Sequence, residues 1–250
     1  MAEPVDTRTG HVPAGLVYGP VRSRRFGLSL GVSLSAPGRT VCRWRCPYCQ
    51  LGEWPYDEQQ PWPPTEDVLH AVRTGIAAVS ERPLVVTVAG GGEPTDHPDF
   101  AVISHALRAE ADRSDVRLLL LSNGDGLEVP ERRAALSAYH AYQIKWDPGA
   151  QAGAWAPGGM VADARIGLLA ALPDLELQSM VFDSPGGGNH DDDTLTRYAA
   201  DVRRMRPRRI HLGTVDRGPR LPGYRPLSPA RLQAIADGIR LAAGVPVSAY

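Results

Sequence analysis

Apolar and polar positions along this chain fall into repeating blocks. Short apolar runs recur, each followed by a glycine-rich or polar stretch and then by apolar residues spaced three and four apart. A short continuous apolar run bounded by turn residues predicts a strand buried on both faces, and the three–four spacing predicts an amphipathic helix. Strands are therefore expected over residues 29–35, 83–89, 116–122, 142–146, 175–182 and 209–214. Helices are expected over 65–80, 99–111, 130–139, 160–172, 193–205 and 228–243, with Thr65 and Ser228 standing where N-caps belong. Six strand–helix units in one chain predict an α/β fold with a parallel sheet covered by helices.

The loops carry a second pattern. Each of the six strands leads directly into an unusual segment: the cysteine-bearing stretch 41–52, then 90–98, 122–126, 147–150, 183–193 and 214–226. The C-terminal ends of parallel strands are where α/β folds assemble their sites, so these six loops are expected to converge on one mouth.

Composition narrows the class without naming a function. Hydrophobic residues make up 43% of the 250 positions and charged residues 22%, as in ordinary globular domains. No run approaches the roughly 18 apolar residues of a membrane span, and the start "MAEPVDTRTG" lacks signal-peptide features. A cytoplasmic protein without membrane association is expected, in which clustered cysteines stay reduced and point to metal rather than disulfides. A net charge of −1 gives no global field toward nucleic acid or membrane. Of the 27 Lys plus Arg residues, Lys145 is the one lysine.

All three cysteines, Cys42, Cys46 and Cys49, lie within "CRWRCPYC". A structural zinc site wants four ligands, a disulfide two and a thiol nucleophile one. Three thiolates suit an iron–sulfur cubane that leaves one iron without a protein ligand. A zinc site of three cysteines and a histidine is the alternative, but His70 and His97 are not at knuckle spacing.

The C-x-x-x-C-x-x-C spacing, with aromatic Tyr48 just before Cys49, resembles the signature of the radical S-adenosylmethionine (SAM) superfamily. The resemblance implies a partial (β/α)6 TIM-type barrel, with residues 1–27 as an N-terminal extension and 28–250 as a single barrel domain. It implies one [4Fe–4S] cluster on Cys42, Cys46 and Cys49, with SAM on the open iron. One electron, from a low-potential donor such as flavodoxin or ferredoxin, would cleave SAM to a 5′-deoxyadenosyl radical that abstracts hydrogen from the substrate. "GGGEP" resembles the stretch that contacts the methionine end of SAM. This makes Gly91, Gly92, Glu93 and Pro94 cofactor-binding candidates, together with Tyr48. Glycines permit close backbone approach, and a carboxylate pairs with an ammonium.

Further stretches, "VYGPVRSRRFGLSLGVSL", "CQLG", "GGEPT", "KWD" and "TVDR", resemble the iron–sulfur oxidoreductases similar to archaeal tRNA wyosine (4-demethylwyosine) synthetases. The substrate class stays open between a small molecule, a peptide and RNA. The wyosine enzymes carry a second cysteine set, and this chain has no fourth cysteine, so no second cluster is expected. The reaction is read as that of a lyase or an oxidoreductase. The rival class is a cluster- or zinc-bearing binding module without catalysis.

Lys145 and Asp147 fall on the same face of their strand and are candidate catalytic residues, with a structural ion pair as the alternative. Ser122 and Asn123 are candidate SAM contacts against an ordinary polar turn. His211 and Arg217 are candidate substrate residues, Arg217 for an anionic group and His211 against a satisfied core histidine. The runs "RRMRPRR" and "NHDDD" read more simply as a solvated face and as a helix start.

Overall fold

The computed structural model describes residues 14–51, 61–149, 160–216, 218–219 and 221–250. Two compact units divide it, one of residues 1–43 and 51–142, the other of residues 44–50 and 143–250.

In the first unit, β1 (Val17–Ser23) and β2 (Gly27–Val32) form an antiparallel pair, and β3 (Val85–Val88) and β4 (Arg117–Ser122) extend it in parallel. The register runs Ser29 to Val85 to Arg117, which aligns Leu30, Val86 and Leu118, all buried. α1 (Thr65–Ala78) buries Val68, Leu69, Val72 and Ile76, one stripe at helical spacing. α2 (Phe100–Arg113) buries Phe100, Ile103 and Leu107. Pro64, not Thr65, occupies the N-cap of α1, and no side chain caps the helix. The expected helix 130–139 is shorter: α3 (Pro130–Ala134) tightens into a 3₁₀ turn over Ala135–Ala138, closed by the Tyr139 N–H on the Leu136 carbonyl.

The second unit carries β6 (Glu176–Val181), β7 (Arg209–Thr214) and β8 (Val247–Ala249) in parallel, with Gln143 to Lys145 of β5 (Ala141–Lys145) paired to β6. Its helices are α4 (Ala162–Ala170), α5 (Asp192–Met205) and α6 (Pro229–Ala243). Ser228 caps α6, its hydroxyl accepting the Arg231 N–H at 3.2 Å. Asp191 caps α5 in the same way at 2.9 Å from Thr194 N, with Asp192 and Asp193 in the first turn. The acidic run therefore does the work of a helix start.

Two strands escape the sequence reading. β1 falls in the expected N-terminal extension, is only half-buried and is interrupted by Gly19–Pro20, and β8 has only three residues. Among the described residues no helix is long and apolar enough to cross a membrane.

Candidate cofactor and substrate site

In the first unit the loop after β3 receives the chain that leads into Cys42. Val41 N donates to the Gly91 carbonyl at 3.0 Å, and Glu93 N donates to the Val41 carbonyl at 2.7 Å. A Cβ on Gly92 would lie 1.9 Å from the Val41 oxygen, and one on Gly91 would lie 2.8 Å from Ser33 Oγ. Both glycines are thus required by close backbone approach.

Glu93 is 3% exposed. Its Oε1 accepts from Thr95 N at 3.0 Å, Thr95 Oγ1 at 2.6 Å and Ser122 Oγ at 2.5 Å, and its Oε2 accepts from Asn123 N at 2.6 Å. Burial raises its pKa, against the pull of these bonds. Glu93 also caps the 3₁₀ turn Pro94–Asp96, which Pro94 opens from a buried position. The carboxylate thereby ties the loop after β3 to the end of β4, and Oε2, with one partner, keeps a lone pair for a further donor. Asn123 completes the connection, its Nδ2 lying 3.5 Å from Cys42 Sγ. Sequence reading missed Thr95, whose hydroxyl both serves Glu93 and accepts the Gly126 N–H at 3.1 Å. It also missed Asp96, whose buried Oδ2 has no hydrogen-bond partner. Its carboxyl is pushed up to about 7 by burial, with Glu93 and Asp125 adding and Arg43 and Arg132 opposing.

In the second unit, Cys46 and Tyr48 are buried with Phe182 and Val215, and Trp44, Cys49, Met180 and Tyr224 pack against them. A tight turn closes with Cys49 N on the Cys46 carbonyl at 3.0 Å. Burial pushes the Cys46 thiol up to about 12, with Asp147 and Cys49 adding and Lys145 and the Tyr48 hydrogen bond opposing.

The Tyr48 hydroxyl donates to Asp147 Oδ2 and accepts from Lys145 Nζ at 2.9 Å. Lys145 Nζ lies 3.8 Å from the same carboxylate oxygen and 4.9 Å from the Tyr48 ring centre. Asp147 is fully buried, and its Oδ1 accepts the Met180 N–H at 2.8 Å. Burial raises the Asp147 pKa, against the opposing effects of Lys145 and the Tyr48 hydrogen bond. Strand alternation puts Lys145 and Asp147 on one face, and here they share Tyr48.

Other candidates fall elsewhere. His211 is 7% exposed in the first half of β7, not beyond its C-terminal end. Its Nε2 lies 2.8 Å from Glu176 Oε2 and its ring stacks on Tyr250, so it is a satisfied interior histidine. Arg217 lies outside the described residues. Asn189 was missed, and no local pattern announces it. It is buried, donates to the carbonyls of Pro148 and Met180 at 3.0 and 2.9 Å, and accepts from Phe182 N at 3.0 Å. It pins the loops after β5 and β6 together.

None of the three cysteines forms a disulfide. Among the described residues no group of three His, Cys, Asp or Glu side chains is placed to hold a single metal ion. The donor set fits a [4Fe–4S] cluster by its chemistry, three thiols in one loop whose entry is docked where a Cβ on Gly92 would intrude.

The family model for the radical SAM superfamily matches residues 39–146. A UPF0026 protein of Helicobacter pylori (strain ATCC 700392 / 26695) is 32% identical over 133 residues, 53% of this chain and 42% of that protein. A UPF0026 protein of Synechocystis sp. is 32% identical over 133 residues, covering 52% and 48% of the two chains. The match thus spans about half the length of these curated relatives or less. Among solved structures, SuiB of Streptococcus suis bound to precursor peptide SuiA has a TM-score of 0.64 at 12% identity, over 90% of this chain and 49% of that one. Another SuiB structure is bound to S-adenosylmethionine. A cysteine-to-serine mutant of spore photoproduct lyase has a TM-score of 0.57 at 12% identity, over 93% and 79%. The likeness shows the fold, an α/β partial TIM-type barrel. The family match supports the radical SAM superfamily, whose members are enzymes that use a [4Fe–4S] cluster and SAM.

Proposed function

We propose that this chain is a radical SAM enzyme acting through residues 28–250 as one barrel domain. The observation that carries the reading is Asn123. Its backbone N–H holds the Glu93 carboxylate and its side chain reaches Cys42 Sγ, so one residue joins the cysteine loop to the GGE segment. When bound, the cluster and SAM supply one-electron cleavage to a 5′-deoxyadenosyl radical, which takes hydrogen from the substrate.

The chain's own residues position and shield that chemistry. Cys42, Cys46 and Cys49 would hold the cluster. The remaining lone pair of Glu93 Oε2 would accept the ammonium of SAM, and Gly91, Gly92 and Pro94 shape the loop that would present it. Ser122 acts by holding Glu93 rather than by touching SAM. Tyr48 and Asp147 fix Lys145 Nζ, a compact cation 16% exposed that orients an anionic group of SAM or substrate. Phe182 and Tyr224, packed against the Tyr48 side at ring distances of 5.4 and 5.2 Å along the row, exclude water from this pocket. A flavodoxin or ferredoxin supplies the electron. Arg217 remains a candidate for a substrate anion.

A finer reading places the chain with the wyosine-synthetase-like oxidoreductases, on "KWD" and "TVDR", with RNA as substrate. The SuiB likeness instead suits a peptide. Deuterium tracing separates these. Reconstituted, reduced enzyme with SAM is run on small-molecule, peptide and tRNA fractions from labelled cells, and label is expected in 5′-deoxyadenosine from one fraction. No label from any fraction, with no 5′-deoxyadenosine formed, would defeat the enzymatic reading.

A further inference from the structure

Tyr18 belongs to β1, in the stretch before the barrel, and pairs in register with Gly31 of β2. Its ring lies across that glycine. A Cβ on Gly31 would fall 2.1 Å from Tyr18 Cζ, and 2.3 and 2.6 Å from Cε2 and Cε1. The ring reaches on past β2 to Gly90, the first glycine of the loop after β3. A Cβ there would lie 2.9 Å from Tyr18 Cε1 and 3.2 Å from its hydroxyl, and the Gly90 backbone has φ +112°. Glycine within a strand packs nothing and weakens it, unless another group must come close to the backbone. Here one aromatic ring accounts for both glycines.

The ring is not part of the packing beneath α1. A Cβ on Gly75 of α1 would meet Val17 Cγ1 at 2.9 Å and Leu30 Cδ2 at 3.0 Å, so Val17 and Leu30 face that helix. Alternation turns their neighbours Tyr18 and Gly31 to the opposite face of the sheet, where Tyr18 is half-buried. The β1–β2 register breaks between Tyr18 and Val21, and such irregularities re-aim side chains.

A chain of hydrogen bonds runs from the same hairpin into the same loop. Ser33, 2% exposed, donates its N–H to the Leu16 carbonyl at 2.8 Å. Its Oγ accepts from Gly91 N at 3.1 Å and from Ser35 N at 3.3 Å. Gly91 in turn accepts from Val41 N, and Val41 accepts from Glu93 N. The start of β1 is thus linked, bond by bond, to Glu93 and to the residue before Cys42.

We propose that Tyr18 and Ser33 are positioning residues of the cofactor loop: the ring fixes Gly90, the hydroxyl fixes Gly91, and together they hold Glu93 where SAM reaches it. The N-terminal hairpin is then a working part of the site and not an extension of the barrel. That SAM is the ligand rests on the radical SAM reading, whereas the support of the loop rests on these contacts alone.

The test uses the full chain with Tyr18→Ala, Tyr18→Phe, Ser33→Ala and Gly31→Ala. The last keeps the tyrosine but displaces its ring, so the test survives if Tyr18→Ala fails to fold. In protein as purified, amide exchange over residues 90–93 is compared with that of β4. In cluster-reconstituted protein, SAM affinity per loaded cluster is read by calorimetry. The two Ala replacements at Tyr18 and Ser33, and Gly31→Ala, should each speed loop exchange roughly ten-fold and leave β4 unchanged. Each should weaken SAM binding roughly ten-fold, as the loss of a group that orients a binding residue does. Tyr18→Phe, which keeps the ring, should recover most of both. Unchanged loop exchange, or exchange rising equally in β4, would overturn the positioning role. Tyr18→Phe as impaired as Tyr18→Ala would overturn the part given to the ring. Faster loop exchange with parental SAM affinity in every variant would overturn the link to the cofactor. A loaded parent that binds no SAM would remove the radical SAM reading, and the exchange comparison would still decide whether Tyr18 and Ser33 hold the loop.

Discussion

A Cβ on Gly92 would sit 1.9 Å from the carbonyl oxygen of Val41, the residue immediately before Cys42. The obstacle is backbone, which cannot swing aside as a side-chain tip does. Gly92→Ala must push Val41 away and break the Glu93 N–H bond to its carbonyl. Loss of about 1–3 kcal/mol of stability is expected, typical of overpacking. Iron and sulfide per chain after reconstitution should fall together with it. Full cluster loading by a well-folded Gly92→Ala protein would show that this docking does not position the cysteine loop.

Removing the Glu93 side chain strands several buried donors. The hydroxyls of Ser122 and Thr95 rotate to new acceptors, but the Asn123 N–H has no such freedom. Glu93→Ala should therefore cost about 3 kcal/mol in chemical denaturation, with Glu93→Gln milder. In cluster-loaded protein Glu93→Gln should also weaken SAM binding, because its amide presents a donor where the ammonium needs an acceptor. A Glu93→Ala protein that unfolds at the parent midpoint would contradict the clamp.

Tyr48→Phe removes the hydroxyl that both Asp147 and Lys145 use, leaving a buried carboxylate with fewer donors. A stability loss of about 2 kcal/mol is expected with hydrogen bonds to a charged group at stake. Lys145→Arg should lower turnover while leaving the cluster spectrum intact, because a planar fork does not occupy the place of a compact amine beside Tyr48. Equal turnover by Lys145→Arg would remove Lys145 from the site.

Much of this arrangement is legible in the sequence. The cysteine spacing, the GGE segment and the placement of loops after strands depend on local sequence, and the alternation along "KWD" puts Lys145 and Asp147 on one face. The partners lie beyond its reach. Tyr48 and Asp147 are 99 positions apart, and nothing in either neighbourhood announces their hydrogen bond. The same is true of Ser122 and Glu93, 29 apart. β1 escapes because a strand with one half-exposed face and a Gly–Pro pair gives no continuous apolar run.

Asp96 gives the first unit a pH signature. Its carboxyl is pushed up to about 7 by burial, with Glu93 and Asp125 adding to the effect. A carboxyl whose folded pKa is raised favours the folded state while protonated. That stability is fully present below the ordinary carboxylate range and is lost as pH rises through about 7. The raised Glu93 acts in the same direction. Thermal midpoints of the parent should therefore decline between pH 4 and 7 relative to Asp96→Asn, whose curve is flatter and lies higher at pH 8. Parallel curves for the two proteins would refute the assignment.

The central claim is that this chain generates a 5′-deoxyadenosyl radical, and one measurement addresses it most directly. Anaerobically reconstituted protein with four iron and four sulfide per chain is mixed with dithionite and SAM, and 5′-deoxyadenosine is quantified by chromatography and mass. The account predicts 5′-deoxyadenosine and methionine in equal amounts, abolished in Cys42→Ala, Cys46→Ala and Cys49→Ala alike. A fully clustered, reduced protein that binds SAM and releases no 5′-deoxyadenosine would contradict it and identify a binding module instead.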